Sequence, residues 1–169
     1  MRSAQFQRYI FGCVSLLFVA YGAAFARDGA GESDKDLSLK EVLDEAIQDE
    51  YRSEQTYLKV IATFGRVRPF VNIVQAEGRH ILALSRLHND HGLAVPPSKW
   101  TQENVPTYES FAAACSDAVA AETENVAMYD RLLSQGLPSD VRYVLGNLQA
   151  ASRDAHLPAF ERCSALFFR

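Results

Sequence analysis

Three glutamates are spaced so that they fall at one level of a helical bundle, and this restricts the chain more than any other feature. Glu50 stands seven residues before Tyr57, Glu122 stands seven before Tyr129, and between the pairs lies Glu77-Gly-Arg-His80. Each glutamate sits on an apolar stripe with three- and four-residue steps, so each faces inward on a helix. Carboxylates buried among apolar side chains are costly unless cations, protons or hydrogen-bond donors meet them. The fold must therefore bring neutralising groups to the same level.

The stripes predict the elements. Ser38-Leu-Lys-Glu41 has the form of a capping box, and Leu43, Ala46, Ile47, Glu50, Glu54, Tyr57, Ile61 and Phe64 follow it, predicting a first helix over 39–64 stopped by Gly65. Pro69 suits a first turn, and Phe70, Ile73, Val74, Glu77, His80, Ile81, Leu84 and Leu87 predict a second helix ending near Gly92. Residues 93–106 hold Pro96, Pro97, Pro106 and Trp100 without a helical period and read as a long crossover. A third helix is expected from about 108 to 134, with Phe111, Cys115, Ala118, Glu122, Asn125, Tyr129 and Leu132 on one face. Gly136-Leu-Pro138 stops it, and Ser139 with Asp140 opens a fourth carrying Val141, Val144, Leu145, Leu148, Ser152, His156, Ala159 and Cys163 inward. Nothing reads as a strand.

Two hairpins joined by one long connection predict an all-α, antiparallel four-helix bundle with its crossover between helices 2 and 3. In an antiparallel hairpin, residues equidistant from the turn share a level. The midpoint between Glu50 and Glu77 falls between Thr63 and Phe64, at the edge of the turn expected at Gly65, and that between Glu122 and His156 at Ser139, in the second expected turn. Cys115 lies seven residues before Glu122 and Cys163 seven after His156, which also levels the two sulfurs. In an oxidising compartment they are expected to be bridged; the alternative is two small buried thiols.

A divalent metal meets the demand of the carboxylate layer. Glu77 and His80, three apart, reach one ion from a single face, with Glu50, Glu122 and His156 arriving from the other three helices. Mixed oxygen and imidazole ligation suits iron or manganese, with zinc as an alternative. The competing account makes His80 and His156 buried histidines hydrogen-bonded to carboxylates. Tyr57 and Tyr129 are expected as core aromatics with a hydroxyl partner rather than redox participants. His88 and His91, in the last turn of the second helix, are expected to face solvent, and Pro158 to bend or end the fourth helix.

The first residues read as an export signal: Arg2 and Arg8 precede an apolar run, Ile10 to Ala20, and Ala24-Phe25-Ala26 has the form of a cleavage site. Residues 1–26 are therefore set apart as a signal peptide, 27–37 as a flexible linker and 38–169 as one domain, periplasmic or secreted. The apolar run is too short to span a bilayer, so no stable membrane insertion is expected after its removal. Taking Arg2 and Arg8 off the net charge of −4 leaves −6, a surface that does not look for nucleic acid. No phosphate-binding glycine loop and no nucleophile with a convincing base is present. Oligomeric state is left open by the helix surfaces, a dimer included.

Four segments together resemble the ferritin-like superfamily, and within it a bacterial family of unknown function. They are Glu50-x6-Tyr57, Phe70-Val-Asn-Ile-Val-Gln-Ala-Glu77-Gly-Arg-His80, Glu122-Thr-Glu-Asn-Val-Ala-Met-Tyr129 and Ala151-Ser-Arg-Asp-Ala-His156-Leu-Pro-Ala-Phe160. The likeness runs from about 38 to 163; Glu-x-x-His alone is common, but four such pieces in this order are fairly specific. It implies a di-iron or related dinuclear centre, Glu50, Glu77 and His80 holding one metal, Glu122 and His156 the other, and Glu77 bridging. It further implies iron-dependent reaction with dioxygen or peroxide. The departure is Arg153, which stands three residues before His156 where the pattern has glutamate. An arginine there is expected to pair with Glu122 or Glu77 and replace a cation, leaving a bundle that binds one metal or none, the latter being the alternative reading of a metal-free helical binding or structural module. Glu54 and Asp154 are the carboxylates placed to compensate, Asp154 facing less inward.

Overall fold

In the computed structural model, which describes residues 37–167, Ser38 caps the first helix, α1 (Leu39–Phe64). Its hydroxyl accepts from the Glu41 amide at 3.3 Å, and the Glu41 carboxylate accepts from the Ser38 amide at 2.8 Å. Two of the amides that a helix start leaves unpaired are thereby satisfied. Gly65 ends α1 at φ 86°, a backbone region open to glycine, with its N–H on the Ile61 carbonyl at 2.9 Å. α2 (Phe70–Asp90) follows Pro69 and closes at Gly92. Residues 91–110 hold no helix and lie along α1: Gln48 Nε2 donates to the Pro97 carbonyl at 2.8 Å, and Lys59 Nζ to that of Val105 at 3.1 Å.

α3 spans Phe111–Leu133 and starts three residues later than expected, because the Ser110 hydroxyl takes the Ala113 amide at 3.1 Å. The last rod is not the single helix that the periodicity predicted. It runs as α4 (Ser139–Ala151), one wider π-helical turn (Ser152–His156) and α5 (Leu157–Ala165). Pro158 has no N–H to give the helical ladder, and the Leu157 N–H reaches back five residues to the Ser152 carbonyl. The described residues are thus all-α, four helical rods packed as a bundle without a strand. The expected signal peptide (1–26), and the expected linker up to residue 36, lie outside the described residues.

Positions along the rods pair in order. Asp44, Glu50 and Tyr57 of α1 meet His88, His80 and Phe70 of α2. Cys115, Glu122 and Asp130 of α3 meet Cys163, His156 and Gln149 of the last rod. Two apolar clusters result. One gathers Leu43, Ile47, Leu84, Leu132, Val141 and Leu145; the other gathers Val60, Phe70, Ile73, Ala118, Phe160 and the two cysteines. Phe160 is fully buried, its ring 4.9 Å from Phe70 and 5.2 Å from Tyr57. Each such side chain contributes about 1.5–3 kcal/mol by leaving water. Among the described residues no helix is long and apolar enough to cross a membrane.

His88 departs from expectation: it is wholly buried, with Nδ1 on the Leu84 carbonyl at 2.9 Å and Nε2 on Asp44 at 3.1 Å. Its place four residues after Leu84 puts it on the inward stripe, and Asp44 supplies the polar partner that burial requires. His91 is mostly covered too, and its Nε2 meets Asp140 at 2.8 Å.

Cys115 and Cys163, with Cα atoms 5.7 Å apart, form the expected disulfide across 48 residues of sequence. Replacing both by serine is expected to lower the unfolding free energy by about 2–4 kcal/mol in denaturant titrations. An unchanged midpoint would mean that the link leaves the unfolded chain unconstrained.

Candidate metal centre

Between the two apolar clusters the bundle is polar. Glu50, Glu77 and Glu122 are each at most 3% exposed, and they come from α1, α2 and α3. His80, one turn after Glu77, directs Nδ1 to Glu50 Oε2 and to Glu77 Oε2, both at 3.1 Å. His156, from the π-helical turn, holds Nδ1 3.3 Å from Glu77 Oε1 and 3.5 Å from Glu122 Oε2. The two imidazole rings stack with centroids 5.6 Å apart. All five residues expected at this level are therefore together.

Two tyrosines close the layer reciprocally. Tyr57 of α1 donates to Glu122 Oε1 at 2.7 Å, and Tyr129 of α3 donates to Glu50 Oε1 at 2.6 Å. The repeated seven-residue spacing becomes a cross-brace: each helix carries a carboxylate and the hydroxyl that holds the other helix's carboxylate. Both tyrosines are at most 1% exposed. Burial and the neighbouring carboxylates push both phenols well above their ordinary range, so each remains a donor.

Charge in the layer is shared among protons. Burial, followed by repulsion from Glu77, raises Glu50 to about 7. Burial works in the same direction at Glu77, but the close approach of His156 and the hydrogen bond with His80 outweigh it and lower that carboxyl. Burial opposes charge on both imidazoles, yet the facing carboxylates prevail: Glu50 and Glu77 raise His80 to about 9, and Glu122 and Glu77 raise His156 to about 10. Both shifts favour an imidazolium facing carboxylate oxygens.

The donor set fits divalent metal. Glu50, Glu77 and His80 form one group and Glu77, Glu122 and His156 another, each with ligand atoms within 4.8 Å of one another. Glu77 belongs to both. His156 Nδ1 is buried without a hydrogen-bond partner, its carboxylate neighbours being close in charge but poorly aligned. Buried polar atoms are rarely left so, and coordination would use this one.

Arg153 does not enter the layer. It is exposed and grips the neighbouring Asp154 through Nε and Nη2, at 2.9 and 3.0 Å. The pairing with Glu122 or Glu77 expected from a three-residue step fails because the π-helical turn widens the spacing. Ser152, four residues before His156, is the one turned inward, 2% exposed. Asp154 is correspondingly exposed, and half-buried Glu54 lies beside Gly78, outside both ligand groups.

A polar neighbour was not anticipated. Asn125 Nδ2 donates to Asp49 Oδ2 at 2.7 Å, and Asp49 also receives Arg52 at 2.6 Å. Burial raises the Asp49 carboxyl despite these partners, Arg52 foremost among them. Asp49 immediately precedes Glu50, and Asn125 lies on the expected inward face of α3, so the pairing was legible only once α1 and α3 were set side by side.

No family model matches the sequence, and no curated protein does. Among solved structures, one described as the crystal structure of hypothetical protein MJ0754 from Methanococcus jannaschii DSM 2661 is similar. It superposes with a TM-score of 0.68 at 20% identity, over 76% of this chain and 81% of its own. At that identity the likeness establishes a shared fold and carries no activity across.

Two predictions follow from the electrostatics. The imidazoles bind protons more tightly in the folded protein than at their ordinary 6.5, so their contribution is complete below that pH and is lost as pH rises through 9 to 10. Glu50, raised to about 7, acts in the same sense. Metal-free protein is expected to lose thermal stability steadily between about pH 6.5 and 10; a midpoint that rises over that range would contradict this charge assignment. Arg153→Ala is expected to leave metal stoichiometry and the melting temperature unchanged, whereas altered stoichiometry would place the guanidinium at the layer.

Proposed function

We propose that this chain is an exported ferritin-like protein, an antiparallel four-helix bundle with a long crossover between its second and third helices. In this reading it binds two divalent ions, iron or manganese, at Glu50, Glu77, His80, Glu122 and His156. The observation that carries the reading is the pair of donor groups sharing Glu77. The antiparallel arrangement is supported by ascending positions on α1 meeting descending positions on α2 and α3, from Asp44 with His88 to Tyr57 with Phe70 and Glu122. The disulfide supports an oxidising compartment, in keeping with residues 1–26 as an export signal.

Glu50 and His80 would hold one ion, Glu122 and His156 the other, with one Glu77 oxygen facing each imidazole. Bound iron would supply electron exchange with dioxygen or peroxide, a chemistry that the carboxylates and imidazoles of the layer do not provide by themselves. The chain's own residues prepare the place. Tyr57 and Tyr129 hold the outer oxygens of Glu122 and Glu50, leaving Oε2 of each directed at the layer. His80 and His156 give up protons as cations arrive, so binding is expected to strengthen with rising pH. The apolar clusters on either side exclude bulk water.

The second reading is a metal-free helical module. It is favoured by one observation, that each imidazole lies within 3.5 Å of two carboxylates, so that two protonated rings would neutralise most of the charge of the three glutamates without any ion. Arg153 has no part in it.

The two readings separate in a rate measurement. Protein loaded with Fe(II) is expected to consume dioxygen or peroxide, and His80→Ala to lose that activity by on the order of 10–100-fold or more. Equal consumption by both proteins would refute the redox role.

A further inference from the structure

Of the two donor groups, Glu77, Glu122 and His156 are all buried, whereas His80 in the other keeps some exposure, so the fully buried group is the one that needs a route from solvent. A cavity of about 220 Å³ lies between α1 and α3, walled by Ser53, Thr56 and Tyr57 on one side and Ala120 and Ala121 on the other, with Pro106 at its rim. Tyr57 is the wall residue that matters, because its hydroxyl is bound to Glu122 Oε1 at 2.7 Å. Tyr57 thus touches both the cavity and the Glu77–Glu122–His156 group. Tyr129, the corresponding residue on the Glu50 side, does not line this cavity.

The same half has the unspent donor. His80 Nδ1 is engaged by two carboxylate oxygens at 3.1 Å, while His156 Nδ1 has no hydrogen bond. The cavity is polar enough to hold water. Ser53 and Thr56 bring hydroxyls, Asp117 and Glu124 bring carboxylates, and the one cation in the wall, Arg52, is drawn to Asp49 at 2.6 Å. A space of this size admits several waters and hence a small hydrated cation.

We propose that this cavity is the inlet of the layer: small hydrated divalent cations reach the Glu77–Glu122–His156 group through it, with Tyr57 as the inner gate. Ala120 and Ala121 are the small residues of the wall, and a leucine at either, above all at the half-buried Ala121, is expected to narrow the passage. The inlet rests on the metal-binding reading, and its test keeps the two apart.

Co(II) serves as the ion, its uptake followed by visible absorbance after rapid mixing with the disulfide-intact protein. Ala121→Leu and Ala120→Leu are each expected to slow uptake by about tenfold or more, overpacking of the wall appearing as an added barrier. The final number of ions per chain should stay that of the wild type. Leu82→Ala, on an exposed part of α2 remote in sequence from the cavity, is expected to change neither quantity. Unchanged rates in both alanine variants, with stoichiometry intact, would overturn the inlet. A wild-type protein that takes up no Co(II) would instead overturn the metal reading beneath it.

Discussion

Burying three carboxylates at the centre of a bundle is the constraint on which the remaining structure depends. Each of Glu50, Glu77 and Glu122 is nearly inaccessible, and an isolated carboxylate in such surroundings would cost several kcal/mol. The chain meets that cost in layers. Phenols hold the outer oxygens of Glu50 and Glu122, imidazoles stand against the inner ones, and Glu77 serves both imidazoles. Because every helical rod supplies one member, no rod can slide or rotate without stranding a polar group.

The polar layer also explains how the apolar residues are distributed. It divides the core in two, with Leu43, Leu84, Leu132 and Leu145 beyond one side and Val60, Phe70, Phe160 and the disulfide beyond the other. Tyr57 and Tyr129 cross the boundary, their rings in opposite clusters and their hydroxyls in the layer. Register is therefore set in the middle by hydrogen bonds that admit one alignment, while the ends provide packing energy that tolerates small adjustments.

Much of this was legible because periodicity and caps are local signals. The limits of α1 follow from the Ser38–Glu41 box and Gly65, and the five candidate ligands meet because their spacings are symmetric about the turns. The misreadings share a different cause. Arg153 was placed by a three-residue step, which assumes a regular helix, but the turn before Pro158 is wider and exchanges Arg153 for Ser152. The position of Pro158 hinted at irregularity without revealing its form. The place of His88 near a helix end favours an outward position, but the step from Leu84 turns it inward, where Asp44, distant in sequence, meets it. Asp49 with Asn125 likewise depends on a contact across 76 positions, which no local pattern encodes.

The proposed function requires a layer suited to cations rather than to protons alone. The most direct measurement is iron bound per chain after anaerobic Fe(II) loading and removal of the excess. Two donor groups with Glu77 in common predict two irons per chain. A chain that retains none, while remaining folded, would contradict the account and leave the protonated histidines as the layer's only neutralising groups.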